Sequence, residues 1–464
     1  MTHDVIVIGA GPGGERAAIL AGRAGKRVAL IEREHDVGGA RILWGTIPSK
    51  TLRESALFVH GLTLRKLDAI HCEIPGEITI ADFMHRERMV VQRELELAHK
   101  ALDKHNVELF AGRGRFVDAH TVAVLGVDGQ ERLRLSGETI VVATGSTPNR
   151  PADVPFDDEV VFDSNTILGL PRMPRSMIVL GAGVIGIEYA SIFAALGISV
   201  TLLDTRSELL PYLDREIAAF LERELRQLSI AVLHDERYRE ITRLPGSRPT
   251  VRVETLSGNC LEADALLYCV GRDGNTRGLG LENVGLGANA RGLIEVNEYY
   301  QTAVPNIYAV GDVIGYPALA STSMEQGRQA IRHAYNIPGP KGRTELLPFA
   351  IYAIPEVSYI GETEEQLVAR GAGYVVGRGN YELNPRGQIA GATGGMLKLL
   401  FERPDLRLVG VHVVGTNASE IVHIGQAFLC SGTGAAQIAE TLYNYPTLSD
   451  LYRHAALEAL LAAR

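Results

Sequence analysis

Residues 4–18 read DVIVIGAGPGGERAA, and residues 176–190, SMIVLGAGVIGIEYA, repeat the same pattern. In each copy a run of β-branched residues precedes three glycines, and an amphipathic helical stretch follows them. A second strand pattern then ends on an acid, Glu32 in the first copy and Asp204 in the second, at the same spacing from the first glycine. This repeated arrangement predicts two strand–turn–helix units that each bind a dinucleotide.

Each glycine of the turn has a separate role in binding the dinucleotide. The first glycine allows a tight turn, the second lets the backbone approach a pyrophosphate, and the third lets helix and strand pack closely. The start of the helix offers free N–H groups and a positive dipole end to the phosphates. The acid at the end of the second strand accepts hydrogen bonds from a ribose diol. The residues predicted to bind cofactor in these turns are Gly9, Gly11, Pro12, Gly14, Gly181, Gly183, Val184, Ile185 and Gly186.

Length and composition exclude several classes of protein. The 464 residues predict about three domains, and the formal net charge of −9 without a basic block argues against nucleic acid as a partner. No apolar run reaches the length of a membrane span, and the first residues lack the features of a signal peptide. The cysteines, Cys72, Cys260, Cys269 and Cys430, stand far apart without metal-ligand spacing. These features predict a cytoplasmic protein without a metal site or a disulfide framework.

Further strand patterns organise the rest of the chain. ETIVVATGS at 138–146 and ADALLYCVGRDGN at 263–275 each end in a glycine-containing loop, which is typical of crossings between two nucleotide-binding domains. NIYAVGDV at 306–313 predicts another strand, and the pattern of 290–302 predicts a hairpin that leads into it. From about residue 344 strands and amphipathic helices alternate without a third glycine fingerprint, which predicts a separate α+β domain.

These motifs together resemble the FAD-dependent pyridine nucleotide–disulfide oxidoreductases, the family of lipoamide dehydrogenase and glutathione reductase. The resemblance spans the chain. It rests on the two fingerprints, ATGS at 143–146, VGR at 270–272, AVGD at 309–312, YAIPEVSYIGETEEQL at 352–367 and YPTLSDLYRHAA at 445–456. Within the family, the chain is most similar to the soluble pyridine nucleotide transhydrogenases. That closer similarity rests on WGTIPSK at 44–50, GRDGNT at 271–276, YQTAVPNIYAVGDVIGYPALAS at 300–321 and HIGQA at 423–427.

The resemblance implies an α/β fold with two Rossmann-like dinucleotide-binding domains, for FAD and for NAD(P), and a C-terminal α+β interface domain. The implied boundaries are 1–150 for the first part of the FAD domain, 151–275 for the NAD(P) domain, 276–343 for the second part of the FAD domain, and 344–464 for the interface domain. The family's dimer implies a homodimer in which each subunit lends its YPTLSD segment to the flavin of its partner.

The resemblance also assigns roles to individual residues. Glu32 and the first glycine turn would hold the ADP half of FAD, and Asp312 would bind the ribityl chain. Lys50 would bring its ammonium near the flavin N5 and pair with Glu188, where it stabilises negative charge on the reduced flavin. The remaining residues expected to line the cofactor sites are Arg33, Gly39, Ala143, Thr144, Gly145, Gly271, Arg272, Gly311 and Ala320.

Two departures from the family pattern decide the expected chemistry. Disulfide reductases of the family carry GGTCxxxxCxPSK, whereas residues 38–50 read GGARILWGTIPSK and place Arg41 and Thr46 at the cysteine positions. The family's His-Pro pair near the C-terminus is replaced by Tyr445-Pro446. An unperturbed tyrosine has a pKa near ~10 and is a poor proton shuttle for thiols. Neither replaced cysteine position can form a thiolate, so thiol–disulfide exchange is excluded.

Hydride transfer to flavin remains, and the simplest electron outlet is a second nicotinamide in the same site. The predicted activity is FAD-dependent transhydrogenation, NADPH + NAD⁺ to NADP⁺ + NADH or the reverse, by a ping-pong cycle without a redox disulfide. Two alternatives stay open: an NAD(P)H dehydrogenase that reduces a quinone or another small acceptor, and a non-catalytic redox-sensing flavoprotein. Intact fingerprints, Lys50 and Glu188 argue against the last, because a scaffold does not need hydride-transfer groups.

More than one role is open for the residues that replace the family's cysteines and histidine, and for the residues that set the nucleotide preference. Arg41 either attracts an anionic or quinone-like acceptor or, as we favour, caps its loop or pairs with a nearby acid. Thr46 is expected to fill space beside the flavin and to offer a hydroxyl, and Tyr445 either lines the pocket or fills the volume of the missing imidazole. Asp204 favours a 2′-OH and repels a 2′-phosphate, whereas Arg206 either binds a 2′-phosphate or is a solvated loop residue. The preference between NAD(H) and NADP(H) therefore stays open.

Overall fold

The computed structural model describes residues 1–64, 79–339 and 346–464. Cys72 and the predicted domain boundary at 343/344 lie outside these ranges. The α-helices of the described residues are α1 (Pro12–Arg23), α2 (Thr46–Leu64), α3 (Ile80–Lys104), α4 (Val184–Ala195), α5 (Arg215–Gln227), α6 (Ala320–Tyr335), α7 (Glu364–Ala369), α8 (Pro385–Ala390), α9 (Ala418–Ser431), α10 (Ala435–Glu440) and α11 (Leu451–Ala462). Among the described helices, none is both long and apolar enough to cross a membrane.

The strands form several sheets whose members are far apart in sequence. They are β1 (Thr2–Ile8), β2 (Val28–Glu32), β3 (Val107–Ala111), β4 (Arg113–Asp118), β5 (Thr121–Leu125), β6 (Glu131–Val142), β7 (Ser146–Pro148), β8 (Val161–Asp163), β9 (Ser176–Leu180), β10 (Ser199–Leu203), β11 (Ala231–Leu233), β12 (Tyr238–Leu244), β13 (Thr250–Thr255), β14 (Cys260–Ala263), β15 (Ala265–Tyr268), β16 (Arg272–Gly274), β17 (Ile307–Ala309), β18 (Phe349–Ile351), β19 (Val357–Gly361), β20 (Tyr374–Asn380), β21 (Met396–Glu402) and β22 (Arg407–Val414).

The first glycine fingerprint lies in a largely parallel sheet. Its strand order is β3-β2-β1-β6-β5-β4, and β17 also pairs with β6 in parallel. Parallel strands are covered on both faces, and accordingly β2 is buried throughout. Helices α1 and α6 pack so closely that a Cβ on Gly327 would lie 2.1 Å from the carbonyl oxygen of Gly13. Strand β17 and helix α6, which come after residue 300, therefore belong to the same unit as the first sheet.

The second fingerprint lies in a separate parallel sheet of order β11-β10-β9-β15-β8. Helix α4 follows β9 directly and is buried along most of its length, including Ile187 and Phe193. The antiparallel strands β12, β13 and β14 form a small sheet beside it. Two parallel sheets, each carrying a glycine turn, confirm the predicted pair of Rossmann-like units.

The C-terminal part is built on an antiparallel sheet of order β18-β19-β22-β21-β20. Helix α11 packs so tightly on β20 that a Cβ on Gly377 would lie 1.9 Å from the carbonyl oxygen of Ala455. An antiparallel sheet with α9, α10 and α11 packed on one face matches the α+β expectation for this part of the chain.

A buried ion cluster joins the second nucleotide unit to the C-terminal sheet. Lys398 on β21 is 1% exposed, and its Nζ lies 2.8 Å from Asp214, 2.6 Å from Glu364 and 3.0 Å from Glu216. Although burial alone disfavours the charged form, His412 and Lys398 lower the pKa of Asp214 below its usual value. Removing one partner from such a cluster leaves uncompensated charge in the interior.

The prediction of a hairpin over residues 290–302 is wrong. The segment contains only turns and a single antiparallel bridge between Gln301 and Tyr308. Two of its backbone amides are taken by a side chain, because Asn297 Oδ1 accepts hydrogen bonds from the N–H groups of Tyr299 (2.9 Å) and Gln301 (3.0 Å). An asparagine that binds local amides competes with the ladder of a strand.

Candidate functional site

The first glycine turn leaves no room for a side chain at its first and third glycines. A Cβ on Gly9, where φ is +104°, would lie 2.4 Å from the carbonyl oxygen of Ala143, and one on Gly14 would lie 1.9 Å from that of Gly9. Gly11, just before α1, carries no side-chain cap, so the first amides of the helix keep their N–H groups for another partner. The turn therefore provides an anion site at the carboxyl edge of the first sheet.

Glu32 ends β2 beside this turn. Its carboxylate accepts hydrogen bonds from the N–H groups of Ala10 (2.7 Å) and Glu34 (2.9 Å). Burial raises the pKa of Glu32 despite these hydrogen bonds. The backbone thus holds the carboxylate in a single position, and its remaining lone pairs are free to accept from a diol.

A cavity of about 630 Å³ extends from Glu32 along the turn to the start of α2. Thr144 lines it, and the Thr144 Oγ1 is buried without a hydrogen-bond partner in the described structure. A buried unpartnered hydroxyl at a cavity wall indicates a polar ligand. The predicted residues that line this cavity are Gly9, Gly11, Pro12, Glu32, Arg33, Gly39, Arg41, Thr46, Ala143, Thr144, Gly145, Gly311, Asp312 and Ala320.

Asp312 is fixed by a hydrogen-bond chain that the sequence did not predict. Ser146 Oγ donates to Asp312 Oδ2 at 2.8 Å, and Arg272 Nε donates to Ser146 Oγ at 2.9 Å. Burial lowers the pKa of Arg272. The N–H of Gly311 donates to Gln326 Oε1 at 2.7 Å, so the Gly311-Asp312 loop is held from two sides. The serine of the ATGS motif was the available signal for the first of these contacts.

A second cavity of about 460 Å³ adjoins the first, and Trp44, Thr46, Asp312 and Ala320 line both. The two therefore form one continuous cleft between the parallel sheets. The predicted residues that line the second cavity are Thr46, Lys50, Val184, Ile185, Glu188, Arg272, Asp312 and Ala320. Tyr352, Phe349, Asn165 and His423 also line it, although the sequence analysis had not selected them.

Lys50 and Glu188 meet across the second cavity. Lys50 Nζ lies 2.6 Å from Glu188 Oε2, and the Glu188 side chain is 5% exposed. The other carboxylate oxygen of Glu188 accepts a hydrogen bond from the N–H of Tyr352 at 2.8 Å. The ammonium also lies 4.9 Å from the centre of the Tyr352 ring. The segment after β18 therefore orients a pair contributed by α2 and α4, and leaves a cation at the cleft.

Arg41 is paired with acids, which is the interpretation that the sequence analysis favoured. It lies in a π-helical turn, Ala40–Trp44, just before α2. Its guanidinium lies 2.5 Å from the 5% exposed carboxylate of Glu15 on α1 and 3.5 Å from that of Glu94 on α3. Thr46, the other replaced cysteine position, begins α2 and faces both cavities.

The second glycine turn repeats the geometry of the first. A Cβ on Gly186 would lie 2.0 Å from the carbonyl oxygen of Gly181. Asp204 follows β10, and Arg206 lies against it at 2.6 Å. The predicted residues that line neither cavity are Gly14, Gly181, Gly183, Gly186, Asp204, Arg206, Gly271 and Tyr445. Gly14 and Gly186 are confined by packing beneath their turns.

Tyr445 does not reach the cleft of its own subunit. Its side chain is 73% exposed. His454 lies 3.5 Å from Asp450, one turn earlier on the chain. Among the described cysteines, Cys260 and Cys430 are exposed, Cys269 is partly buried, and none lines either cavity.

Comparisons with known proteins match the whole fold. Residues 3–327 match the family model described as pyridine nucleotide-disulphide oxidoreductase, and residues 347–456 match the dimerisation domain of the same family. The chain is 46% identical to the soluble pyridine nucleotide transhydrogenase of Mycobacterium bovis, over 99% of this chain and 97% of the relative. It is 42% identical to the soluble pyridine nucleotide transhydrogenase of Erwinia tasmaniensis, over 99% and 98%.

Solved structures are similar over nearly the full length. The crystal structure of LpdA from Mycobacterium tuberculosis aligns with a TM-score of 0.90 and 26% identity, covering 98% of this chain and 99% of that one. The HOCl-induced flavoprotein disulfide reductase RclA from Escherichia coli aligns with a TM-score of 0.87 and 27% identity, with the same coverage.

Proposed function

Because the chain belongs to the pyridine nucleotide-disulphide oxidoreductase family, we propose that it catalyses hydride transfer between pyridine nucleotides, NADPH + NAD⁺ to NADP⁺ + NADH or the reverse. The observation that carries this proposal is the Lys50–Glu188 pair at 2.6 Å, which faces a cleft where Arg41 and Thr46 stand at the family's thiol positions. Relatives named soluble pyridine nucleotide transhydrogenase support the same activity.

The first cavity fits FAD. The glycine turn would offer its free helix amides to the pyrophosphate, Glu32 would accept from the adenosine ribose, and Asp312 would accept from the ribityl chain. The unpartnered Thr144 hydroxyl is a further polar group available to the bound cofactor. Bound FAD would supply the hydride chemistry of the reaction, as the carrier between a reduced and an oxidised nicotinamide.

The chain's own groups supply charge, orientation and exclusion of water. The Lys50 ammonium stabilises negative charge that develops at the cleft, and Glu188 holds the ammonium in place through its own bond to the Tyr352 N–H. Val184 and Ile185 give the nicotinamide side of the second cavity an apolar wall. Hydride transfer needs this positioning but no proton donor, and Tyr445 in place of the family histidine is compatible with that.

Among the described residues, no cysteine thiol lines this cleft as an electron acceptor. Thr46 and Arg41 occupy the replaced positions, and the described cysteines lie away from both cavities. Arg41 does not support the quinone alternative, because its guanidinium pairs with Glu15 and Glu94 instead of facing an acceptor. A second nicotinamide entering the same site is therefore the electron acceptor of this proposal.

The proposal extends to assembly and location. The chain forms a homodimer through residues 344–464, and the exposed Tyr445 segment of each subunit approaches the cleft of its partner. The chain acts in the cytoplasm, as expected for an enzyme that exchanges electrons between freely diffusing nucleotides. The domain limits at 150, 275 and 343 belong to the same proposal.

Anaerobic spectroscopy on the purified protein tests the proposal. We expect a yellow protein that is bleached by NADH or NADPH and regains its oxidised spectrum on addition of thio-NAD⁺. Recovery with a quinone but not with thio-NAD⁺ would contradict transhydrogenation and favour the dehydrogenase alternative. A protein that NADH and NADPH both fail to bleach would exclude both activities.

A further inference from the structure

Arg53 is a buried arginine on α2, about one turn after Lys50. Its side chain is 6% exposed, and its Nη2 lies 3.0 Å from Oε1 of Glu356, whose side chain is 8% exposed. Its Nε donates to the carbonyl oxygen of Ala353 at 3.0 Å, and its Nη1 donates to Glu54 Oε1 at 2.8 Å. Arg53 lines neither cavity. Its planar guanidinium instead binds an acid and a carbonyl of one short segment at the same time.

This segment, residues 352–356, joins β18 to β19 and lies outside both strands. The N–H of Tyr352 donates to the Glu188 carboxylate at 2.8 Å. The N–H of Ile354 donates to Ser191 Oγ at 3.1 Å, and this hydroxyl donates to the carbonyl oxygen of Glu188 at 2.9 Å. Hydrogen bonds to α2 and α4 therefore hold three consecutive residues of the segment beside the ion pair that faces the cleft.

Glu356 fixes the far end of the segment to the C-terminal part of the chain. Its Oε2 accepts hydrogen bonds from the N–H (3.0 Å) and the Oγ (2.8 Å) of Ser419, near the start of α9. Its backbone carbonyl accepts from the N–H of Gly415 at 2.8 Å. Both carboxylate oxygens are thus occupied, one by Arg53 and the other by Ser419. Because these bonds fix the acid, Arg53 ties α2 to a defined point beside the C-terminal sheet.

We propose that Arg53 is a positioning residue for hydride transfer. By holding the segment, it keeps the Tyr352 N–H on the Glu188 carboxylate that orients Lys50. Without the guanidinium, a buried carbonyl loses its donor and a buried carboxylate loses its cation, so the segment must shift to reach other partners or water. A displacement of about 1 Å at a reacting group can slow a reaction about 100-fold. This role rests on the proposed function only in requiring that NADH reduces the bound flavin.

A double-mutant cycle separates positioning from a general loss of stability. Anaerobic stopped-flow absorbance follows bleaching by NADH of the flavin-loaded wild type, Arg53→Met, Lys50→Met and the double variant. We expect Arg53→Met to lower the limiting rate about 10-fold. The NADH concentration at half-saturation should change less than about threefold, because Arg53 lines neither cavity. The double variant should match Lys50→Met within about twofold, since the arginine acts only through the lysine.

The reduction potential of the bound flavin is a readout that does not depend on turnover. A cation beside the flavin favours the reduced form that carries negative charge, so the potential should fall in both Lys50→Met and Arg53→Met. Arg248→Met is the matched control. Arg248 also binds an acid, Asp264 at 3.0 Å, and a backbone carbonyl, that of Met173 at 3.4 Å, but lines neither cavity. This control should leave both the rate and the potential unchanged.

Arg53→Lys keeps a charge opposite Glu356 and should recover part of the rate, and it replaces Arg53→Met in the cycle if that variant does not retain flavin. A wild-type rate and potential in Arg53→Met would overturn the proposal, as would rate losses that multiply in the double variant. A wild-type flavin that NADH reduces but thio-NAD⁺ does not reoxidise would contradict transhydrogenation alone. If NADH did not reduce the flavin at all, the proposed function would fail, and the potential would still decide the role of Arg53.

Discussion

Replacing Lys50 by methionine removes the ammonium from the second cavity and keeps a side chain of similar length. The hydrogen bond from Lys50 to Glu188, 2.6 Å long, joins two charged groups. Such bonds contribute about 1.5–3 kcal/mol. Because Lys50 is 27% exposed and Glu188 keeps its bond to the Tyr352 N–H, we expect the free energy of unfolding to fall by about 1.5 kcal/mol, the lower end of this range.

The effect on hydride transfer should exceed the effect on folding. If the ammonium stabilises charge developing at the cleft by a similar 1.5–3 kcal/mol, its loss slows bleaching of the bound flavin by NADH about 10- to 150-fold. Anaerobic stopped-flow absorbance measures this rate directly. Lys26→Met is the matched control, since Lys26 Nζ also lies over an aromatic ring, 4.3 Å from the centre of Tyr335, but lines neither cavity.

A folded, flavin-loaded Lys50→Met protein that NADH bleaches at the wild-type rate would remove Lys50 from the hydride-transfer site. Equal slowing in Lys50→Met and Lys26→Met would point to a general loss of stability.

Glycine, charge and pH variants probe the remaining parts of the molecule. Gly14→Ala places a Cβ 1.9 Å from a carbonyl oxygen in the first turn and should yield protein without flavin absorbance. Gly186→Ala places a Cβ 2.0 Å from a carbonyl oxygen in the second turn, so this variant should keep its flavin but no longer be bleached by NADH. The reverse pattern would exchange the two cofactor assignments. Arg41→Ala removes the closest ion-pair partner of the buried Glu15 and should lower the free energy of unfolding by about 1.5–3 kcal/mol, as measured by denaturant titration. A loss of quinone reduction in the same variant would instead support the hypothesis that Arg41 attracts an acceptor. Lys398→Met should destabilise the protein by about 3–5 kcal/mol at neutral pH, as for loss of one partner of a buried pair. Because the pKa of Asp214 is lowered in the folded state, its contribution is present above its unfolded value of about 3.9 and is lost as the pH falls through the folded value. The difference in thermal midpoint between wild type and Lys398→Met should therefore shrink from pH 6 to pH 3, and a constant difference would contradict this.

Pairings that join distant parts of the chain were foreseen only where a family pattern supplied them. Composition and spacing say nothing of Lys50 and Glu188 being neighbours, since 138 residues separate them, and the resemblance alone implied the contact. Tyr352, which orients Glu188 through its backbone N–H, has no such signal, because any residue except proline could donate the same bond at that position. The Ser146 hydroxyl beside Asp312 went unpredicted for a related reason, since its partner is 166 residues away.

The amino-acid sequence is sufficient to predict the two dinucleotide turns, because a tight strand-to-helix turn needs glycine wherever a Cβ would strike the backbone, and that requirement is local. It also determined the absence of cysteine at positions 41 and 46, and with it the exclusion of thiol chemistry at those positions. The ion pairs of Arg41 with Glu15 and Glu94, and of Arg206 with Asp204, became visible only in the folded chain. A long charged side chain can reach several partners, and which partner it meets depends on helices and strands brought together by the packing of the whole fold.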